Sequence, residues 1–549
     1  MATDNKYDRQ LRLWGANGQK ALSLSNIVLL NATSAGTETL KNLVLPGIGS
    51  FHVYDSSAVT ETDVTSNFFV TSDDVGKSRA EVTCKLLSEL NSDVTGGFTH
   101  ADSEGFVNFL RAQSSRSALV IVSDVPLSQL QDISTFCHQE SIPLISVKSY
   151  GLIGIVRLQN GKTPHTIIES KPDNSVPDLR LANPFDELNE LVDKFELEKL
   201  DDKDHSHVPY VILLIKAINL YKETSDNRHP PRTHDQKSKF KNLVKSMSRN
   251  FDMEVNFEDA VKESYLAYTS KEIPYEVQEI MDNTSDNDVS ANSFDVMVKA
   301  LKRFIENNGG LPPLHGGIPD MTSSTEYYVA LQDVYKKKSE KDLMVMKRYV
   351  NEISNGTDIT VPSEELVTFC KNIGNIFVQS HRSISRELEQ QLCPENNNSL
   401  QVDDEIIDDL VMSCMDPSSP ASQTPLLWYL GVRAGEIYQR QHGYFPGSQT
   451  NATSKMIESD SKKVQSILVK LVTNMKLNSE DLIQTCIVAS NDIASEIVRF
   501  GNCEIHNISS VVGGVASQEA VKLLTKQYTL LDNTYIYNGI ASIGGVYKF

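Results

Sequence analysis

Residues 31–36 follow the first apolar run of the chain, where a nucleotide-binding fold carries its phosphate loop. Such a loop needs glycine at its tight turn and at its closest approach to the phosphate, because bare amides and the helix dipole face the anion. Here Asn31 replaces the first glycine, Thr33 replaces the second and Ser34 follows, so that only Gly36 remains, at the position that packs helix on strand. Asn tolerates left-handed backbone angles, whereas the branched Cβ of Thr33 stands where a phosphate would sit. We predict that residues 31–36 form a structural turn that does not bind phosphate.

Two other segments carry groups that nucleotide chemistry uses. Asp55 ends the second apolar run, where an acidic residue can bind a ribose, although aspartates at strand ends also organise turns. Arg9 and Arg12 lie in an amino-terminal segment whose apolar residues fit a packed helix. A guanidinium on such a helix can clamp a polyphosphate through directed hydrogen bonds, or it can simply be solvated. The residues alone leave both alternatives open.

Histidine and cysteine positions give little support for a metal site or a covalent nucleophile. His205 and His207 form a conceivable metal pair, but no cysteine or acidic cluster accompanies them at a suitable spacing, and we favour capping of the next helix. The seven cysteines are scattered and never form Cys-x-x-Cys, which fits a reducing compartment. Cys393 precedes a proline and fits a helix end better than a nucleophile. We therefore predict no metal site and no catalytic residue in this chain.

The elements that must position these residues are visible as apolar patterns. Continuous apolar runs at 26–30, 118–123 and 143–147 are typical of strands buried on both faces of a parallel sheet. Residues 50–54 form a further strand candidate, and 127–139 have helical spacing. Strand and helix alternate, which is the pattern of a parallel α/β sheet.

The pattern changes at about residue 165, where long amphipathic segments begin to dominate and strand signals become scarce. Near the carboxyl end a glycine pair and a helical pattern occupy 508–525, and a strand candidate follows at 530–537. The α/β character therefore returns. We predict one sheet domain made from 1–165 and 486–549, with a mainly helical domain inserted at 166–485.

Composition limits the class of partner. The chain has 549 residues, 40% of them hydrophobic, and a formal net charge of -20. Nucleic acids and anionic membranes need clustered Lys and Arg, so we predict neither as a partner and favour a protein. The most apolar run, 208–220, is shorter than the roughly 20 residues of a membrane span, and 1–20 lack the apolar core of a leader. We expect a protein of the cytoplasm, the nucleus or both.

Several motifs in a fixed order resemble one family along nearly the whole chain. The first is Tyr-Asp-Arg-Gln-Leu-Arg-Leu-Trp-Gly at 7–15, and Gly-Gly-Val-Ala-Ser-Gln-Glu at 513–519 lies near the other end. The sequence resembles the regulatory subunits of neddylation activating enzymes, heterodimers that adenylate the Nedd/Rub ubiquitin-like protein and load it as a thioester. The remaining segments that carry the resemblance are 31–33, 40–51, 150–154, 204–207, 318–321, 331–335 and 533–537.

The resemblance implies a Rossmann-like pseudo-adenylation domain of the ThiF/MoeB type, which pairs with the adenylation domain of a catalytic subunit. That partner would hold ATP, magnesium and the thioester cysteine, and this chain alone would bind no cofactor. Active relatives carry a nucleotide-binding arginine where this sequence reads Asp-Val-Thr-Ser-Asn at 63–67, and their Pro-x-Cys-Thr motif has no counterpart here. The resemblance thus implies a helical insert like a cysteine half-domain without its nucleophile.

Arg9 is the residue to which the resemblance gives a role, because its counterpart reaches the ATP phosphates held by the partner. Arg12 could assist or serve packing only. Asp124 lies near the place of the magnesium-binding aspartate of active relatives, but its surroundings match poorly and it stays unassigned.

Three other functions are alternatives. A self-sufficient adenylating enzyme would have to bind ATP through the degenerate loop. The matching subunit of the sumoylation pathway is shorter and lacks a large helical insert. An NAD-dependent oxidoreductase needs the missing glycines and a hydride-transfer site.

Overall fold

The computed structural model describes residues 6–113, 118–162, 164–168, 178–224, 229–269, 273–284, 292–392, 410–412, 421–449, 452–475, 477 and 480–549. The chain forms two compact units. Unit 1 contains Met1–His165 and Val378–Phe549, and unit 2 contains Thr166–Phe377. Unit 1 is therefore made from both ends of the chain.

The first part of unit 1 alternates helices and strands. The buried strands are continuous apolar runs. In β1 the four residues after Asn26 are all buried, because Ile27 and Leu29 pack into one apolar cluster and Val28 and Leu30 into another, so both faces of the strand are covered. The elements are α1 (Asp8–Ser23), β1 (Asn26–Leu30), α2 (Ser34–Val44), β2 (Ser50–Tyr54), α3 (Glu61–Ser66), α4 (Arg79–Leu90), β3 (Thr95–Thr99), α5 (Phe106–Gln113), β4 (Leu119–Ser123), α6 (Leu127–Gln139), β5 (Leu144–Tyr150), β6 (Ile153–Gln159) and β7 (His165–Ile167).

Unit 2 is mainly helical. Its apolar core includes the three helices between residues 210 and 262, with Val211, Leu214, Phe240 and Phe257 among the fully buried side chains. The elements that follow β7 are α7 (Asp186–Asp193), α8 (Asp202–His205), α9 (Tyr210–Thr224), α10 (His234–Ser246), α11 (Val255–Lys262), α12 (Tyr275–Asp282), α13 (Ser293–Asn307), α14 (Thr325–Ser354), α15 (Ser363–Lys371) and β8 (Phe377–Gln379).

The second part of unit 1 begins with helices and ends with two strands. These are α16 (Ile384–Leu392), α17 (Pro425–His442), α18 (Ser454–Asn474), α19 (Glu480–Phe500), α20 (His506–Thr525), β9 (Thr534–Asn538) and β10 (Ile543–Tyr547). Short 3-10 helices occur in both units, at Ser72–Asp74, Ser103–Gly105, Leu197–Lys199, Glu263–Ala267, Ile373–Asn375 and Ala421–Gln423.

One sheet of eight strands organises unit 1, in the order β10-β9-β6-β5-β4-β1-β2-β3. The strands from β5 to β3 are parallel, whereas β6, β9 and β10 extend the sheet by antiparallel pairing. A second sheet pairs β7 with β8. The predicted α/β class is confirmed, and the carboxyl end of the chain completes the sheet that the amino end begins.

The compact insert is shorter than the 166–485 predicted from the helical pattern. Residues 378–485 are indeed rich in helix, but α17, α18 and α19 pack into one apolar core with the sheet. Tyr150 and Ile153 of the sheet share that core with Leu430 and Ile497. Helical periodicity does not reveal which core a helix joins, and so the boundary falls at Val378 instead.

No helix in the described part of the chain is both long and apolar enough to cross a membrane.

Helices α2 and α20 touch backbone to backbone at Gly513. A Cβ at this position would lie 2.8 Å from Glu38 Cβ and 3.0 Å from Thr39 N, whereas a Cβ at the neighbouring Gly514 would meet nothing within 4 Å. The two glycines of the pair therefore have different roles. Gly513 permits the close approach, and Gly514 faces open space.

We expect Gly513→Ala to lower the midpoint of thermal unfolding, because the added methyl overpacks two helices at a cost of about 1–3 kcal/mol. Gly514→Ala is the matched control in the same helix, and it should be neutral or stabilising by up to about 1 kcal/mol, since alanine is the better helix former. Equal midpoints for the two variants would contradict this account of the α2–α20 contact.

Candidate functional site

The loop of residues 31–33 connects β1 to α2 at the carboxyl edge of the parallel strands. Asn31 has a φ of 68°, which lies in the left-handed region. Its side-chain amide donates to the carbonyl oxygens of Ser123, at 2.8 Å, and Asp124, at 3.0 Å. The Asn31 side chain thus joins the carboxyl ends of β1 and β4 across the place where a glycine would leave room for a ligand.

The other loop side chains are also directed into the protein. Thr33 Oγ1 lies 2.7 Å from Ser123 Oγ, and Ser34 Oγ donates to the carbonyl oxygen of Ser66 at 2.7 Å. A Cβ on Gly36 would lie 2.9 Å from Ser123 Cβ and 3.0 Å from Asn31 O, so α2 approaches the sheet closely at this point. The loop is packed as a structural turn.

Glu504 lies at the amino end of α2, although it is 470 residues away along the sequence. Its carboxyl oxygens accept hydrogen bonds from Ser34 N at 2.8 Å, Ala35 N at 3.3 Å and Thr33 Oγ1 at 3.0 Å. Burial, and then the nearby Asp124 carboxylate, raise the pKa of Glu504 to about 7, whereas these three hydrogen bonds act to lower it. The Glu504 carboxyl group therefore lies against the amino end of α2 and accepts hydrogen bonds from two of its first amides.

Asp55 is held within a second internal cluster. It accepts hydrogen bonds from Ala32 N and Ser57 N, both at 2.8 Å, and from Arg79 Nε at 2.7 Å. The same guanidinium binds Asp63 Oδ1 at 3.1 Å and donates to Asn31 Oδ1. Burial disfavours the charged guanidinium, but the carboxylates of Asp55 and Asp63 outweigh it and raise the pKa of Arg79. The strand-end aspartate thus organises the turn with an arginine.

Asp124 belongs to a third cluster of opposite charges. Lys148 Nζ lies 2.6 Å from Asp124 Oδ1 and 2.9 Å from Glu436 Oε1, and Asn502 donates to Asp124 Oδ2 at 3.0 Å. Burial opposes ionisation of Asp124, yet Lys148 and Asn502 outweigh it, so that the pKa of Asp124 is lowered. The Asp124 side chain is paired with an internal cation.

Arg9 lies in α1 and is exposed to solvent. Arg12 is exposed too, and it forms a salt bridge of 2.8 Å with Asp8 one turn earlier. Helix α1 is fixed to the unit by the buried Trp14, whose carbonyl oxygen accepts a hydrogen bond of 2.9 Å from Gln527. The structure therefore presents Arg9 on the surface of a fixed helix, whereas the degenerate loop residues Asn31, Thr33, Ser34 and Gly36 are largely buried.

The histidine pair does not serve as the predicted helix cap. His205 is buried and its Nδ1 lies 2.5 Å from Glu254 Oε1, while Phe257 stacks on its ring. His207 Nδ1 instead lies 2.7 Å from the carbonyl oxygen of Lys203. Capping was wrong because the sequence could not reveal Glu254 as a partner 49 residues away. Cys393 lies outside the described residues.

Sequence reasoning missed Arg79, Lys148 and Glu504, the three charged residues that close the site. Arg79 is the first residue of α4, Lys148 is inside β5, and Glu504 lies in the loop before α20. No local motif in the sequence marks these three positions. A signal was nevertheless present for Lys148, because a lysine inside a strand buried on both faces requires an acidic partner.

Comparison with known proteins then decides the family. The ThiF family matches residues 7–545. The chain is 33% identical to the NEDD8-activating enzyme E1 regulatory subunit of Danio rerio, over 99% of this chain and 98% of the relative. It is 35% identical to the regulatory subunit AXR1 of Arabidopsis thaliana, over 97% and 94%.

The chain belongs to the ThiF family, among the NEDD8-activating enzyme E1 regulatory subunits. The Saccharomyces cerevisiae member, at 24% identity, is still matched over 99% of both chains. Because these NEDD8-activating enzyme E1 regulatory subunits are matched end to end, the likeness includes unit 2 and the returning sheet strands as well as the loop region.

We expect Arg79→Met to destabilise unit 1 by about 3–5 kcal/mol, because it leaves the buried Asp55 and the partly buried Asp63 without their cation. Lys77→Met, two residues earlier, removes the Lys77–Asp74 pair, whose lysine side chain is 57% exposed, and should cost less than about 1 kcal/mol. Urea unfolding measures both. If Arg79→Met lowers the free energy of unfolding as little as Lys77→Met does, the structural role of the Arg79 cluster is refuted.

Proposed function

We propose that this chain is the non-catalytic subunit of a NEDD8-activating enzyme and that ATP and magnesium bind on a separate catalytic subunit. The observation that carries this proposal is the internal occupation of the loop by Glu504, in a chain whose relatives are named regulatory subunits. In this account the enzyme adenylates the Nedd/Rub ubiquitin-like protein and loads it as a thioester on the catalytic subunit, the first step of neddylation.

The polar groups that a nucleotide would need are already used. The amides at the start of α2 donate to Glu504, Asp55 is bonded to Arg79, and Asp124 is bonded to Lys148. Releasing any one of them would leave a partner buried and unpaired, which costs several kcal/mol for a charged group. This supports a chain that binds no nucleotide by itself.

Unit 2 offers no reactive thiol either. Cys370 is the one cysteine between residues 166 and 377, and it is buried. Burial raises the pKa of its thiol to about 12, so it is protonated at neutral pH, whereas a thioester-forming cysteine must react as the thiolate. Unit 2 thus supports the proposal of a cysteine half-domain without a nucleophile.

Arg9 is the group that we assign to the shared chemistry. It lies on an exposed face of α1, which Trp14 fixes to the unit, and Leu13 beside it is 59% exposed. A guanidinium on a fixed helix is suited to a partner's polyphosphate, because the helix already fixes the backbone and the planar fork of arginine matches phosphate oxygens. In the heterodimer, Arg9 stabilises the ATP phosphates in the catalytic subunit from across the interface.

The free thiols of the described cysteines support a reducing compartment. We therefore also propose that the protein works in the cytoplasm, the nucleus or both, with a catalytic subunit and a ubiquitin-like protein as its partners.

Arg9→Ala should leave heterodimer assembly intact and slow adenylation by at least about tenfold, because one charge-assisted contact to the phosphates is lost. The measurement is ATP–pyrophosphate exchange by the reconstituted heterodimer with its ubiquitin-like protein. The matched control is Lys20→Ala, which removes an exposed cation from the last turn of α1, beyond the kink at Gly15, and should change nothing.

Exchange at the wild-type rate in an assembled Arg9→Ala heterodimer would exclude the role of Arg9 in trans. An equal loss in the Lys20→Ala variant would show that general surface charge, and not Arg9, is responsible.

A further inference from the structure

The first amide groups of a helix have no acceptor within the helix and need one from elsewhere. In α2 the N-cap residue is Thr33, but its side chain makes no capping hydrogen bond. Thr33 Oγ1 is engaged with Ser123 Oγ and Glu504 Oε1 instead. The cap therefore comes from another part of the chain.

The segment that carries Glu504 is fixed on both sides. Gly151 N donates to Cys503 O at 2.7 Å, and Gly151 forms an isolated parallel bridge with Glu504. Two residues before Glu504, Asn502 takes a φ of 65° and its side chain donates to Asp124. These contacts place the carboxyl group of Glu504 against the amino end of α2.

Both carboxyl oxygens are used at this position. Oε2 accepts from Ser34 N, while Oε1 accepts from Ala35 N and from Thr33 Oγ1. Two adjacent amides and a hydroxyl are the donors that a helix amino end offers to a phosphate. An external phosphate oxygen would have to occupy the same space, and therefore Glu504 and a phosphate exclude each other.

We propose that the Glu504 carboxyl group is a built-in substitute for a bound phosphate, which caps α2 and keeps the degenerate loop closed in the absence of nucleotide. The inference concerns this chain alone. It is independent of whether Arg9 acts on a partner, because assembly and adenylation enter neither its argument nor its test.

The test is amide hydrogen exchange of the full chain, read at Ser34 and Ala35. In Glu504→Ala these amides should exchange about tenfold faster than in wild type, because the cap is lost. Glu504→Gln keeps one carbonyl acceptor at nearly the same volume and should lie between the two. If Glu504→Ala does not fold, faster exchange at Ser34 and Ala35 in Glu504→Gln than in wild type is the test.

Chemical rescue distinguishes a filled anion position from a merely structural contact. Acetate supplies the missing carboxyl group, and inorganic phosphate supplies the ligand that Glu504 is proposed to replace. Either anion should slow exchange at Ser34 and Ala35 in Glu504→Ala more than chloride does at the same ionic strength, and neither should affect the wild type, whose position is occupied.

The matched control is Glu519→Ala. Glu519 is a buried carboxylate that accepts a 2.8 Å hydrogen bond from Leu531 N and pairs with Lys522, so its partners are not the first residues of α2. Its loss should leave exchange at Ser34 and Ala35 unchanged. The proposal is overturned if Glu504→Ala exchanges like wild type, if neither anion slows its exchange more than chloride, or if phosphate protects the wild type equally.

Discussion

The amino end of α2 is the point on which the rest of unit 1 depends. Its amides need acceptors, and the chain provides them from Glu504, which lies beyond more than four hundred intervening residues. The same residue bridges Gly151, which lies between β5 and β6 of the sheet. The residue that closes the loop is therefore also evidence that the two ends of the chain fold as one domain.

Continuity of the sheet provides the same connection on a larger scale. The antiparallel pairing of β6 with β9 joins the first and last parts of unit 1, and α17 is tied to the sheet through Lys148 and Glu436. Buried charges of this kind are costly unless each has a partner. In this unit the partners come from elements far apart in sequence, so the charged clusters favour one arrangement of those elements over others.

The sequence predicts best those strands whose residues are all apolar because both faces are buried. Strand β1 was predicted from its apolar run, whereas β3 was missed because two glycines interrupt it at the half-exposed edge of the sheet. Strand β6 was missed because Arg157 and Gln159 are polar, although every residue of the strand is buried. Arg157 is paired with Glu387, a long-range partner that no local pattern reveals.

The same limit applies to the site. The sequence shows that the loop lacks its glycines. It does not show that Glu504 binds the loop, because Glu504 and Thr33 come together only in the folded chain. An absence of glycines would fit an empty or weakened nucleotide site. The structure shows instead a loop whose donors are bonded to the protein itself.

The central claim is that the working nucleotide site lies on the partner subunit. Equilibrium dialysis with labelled ATP and magnesium tests it most directly, with the isolated chain and the purified heterodimer measured side by side. The account predicts no saturable binding by the isolated chain and a single ATP bound per heterodimer. Saturable binding to the isolated chain, or two ATP molecules per heterodimer, would contradict it.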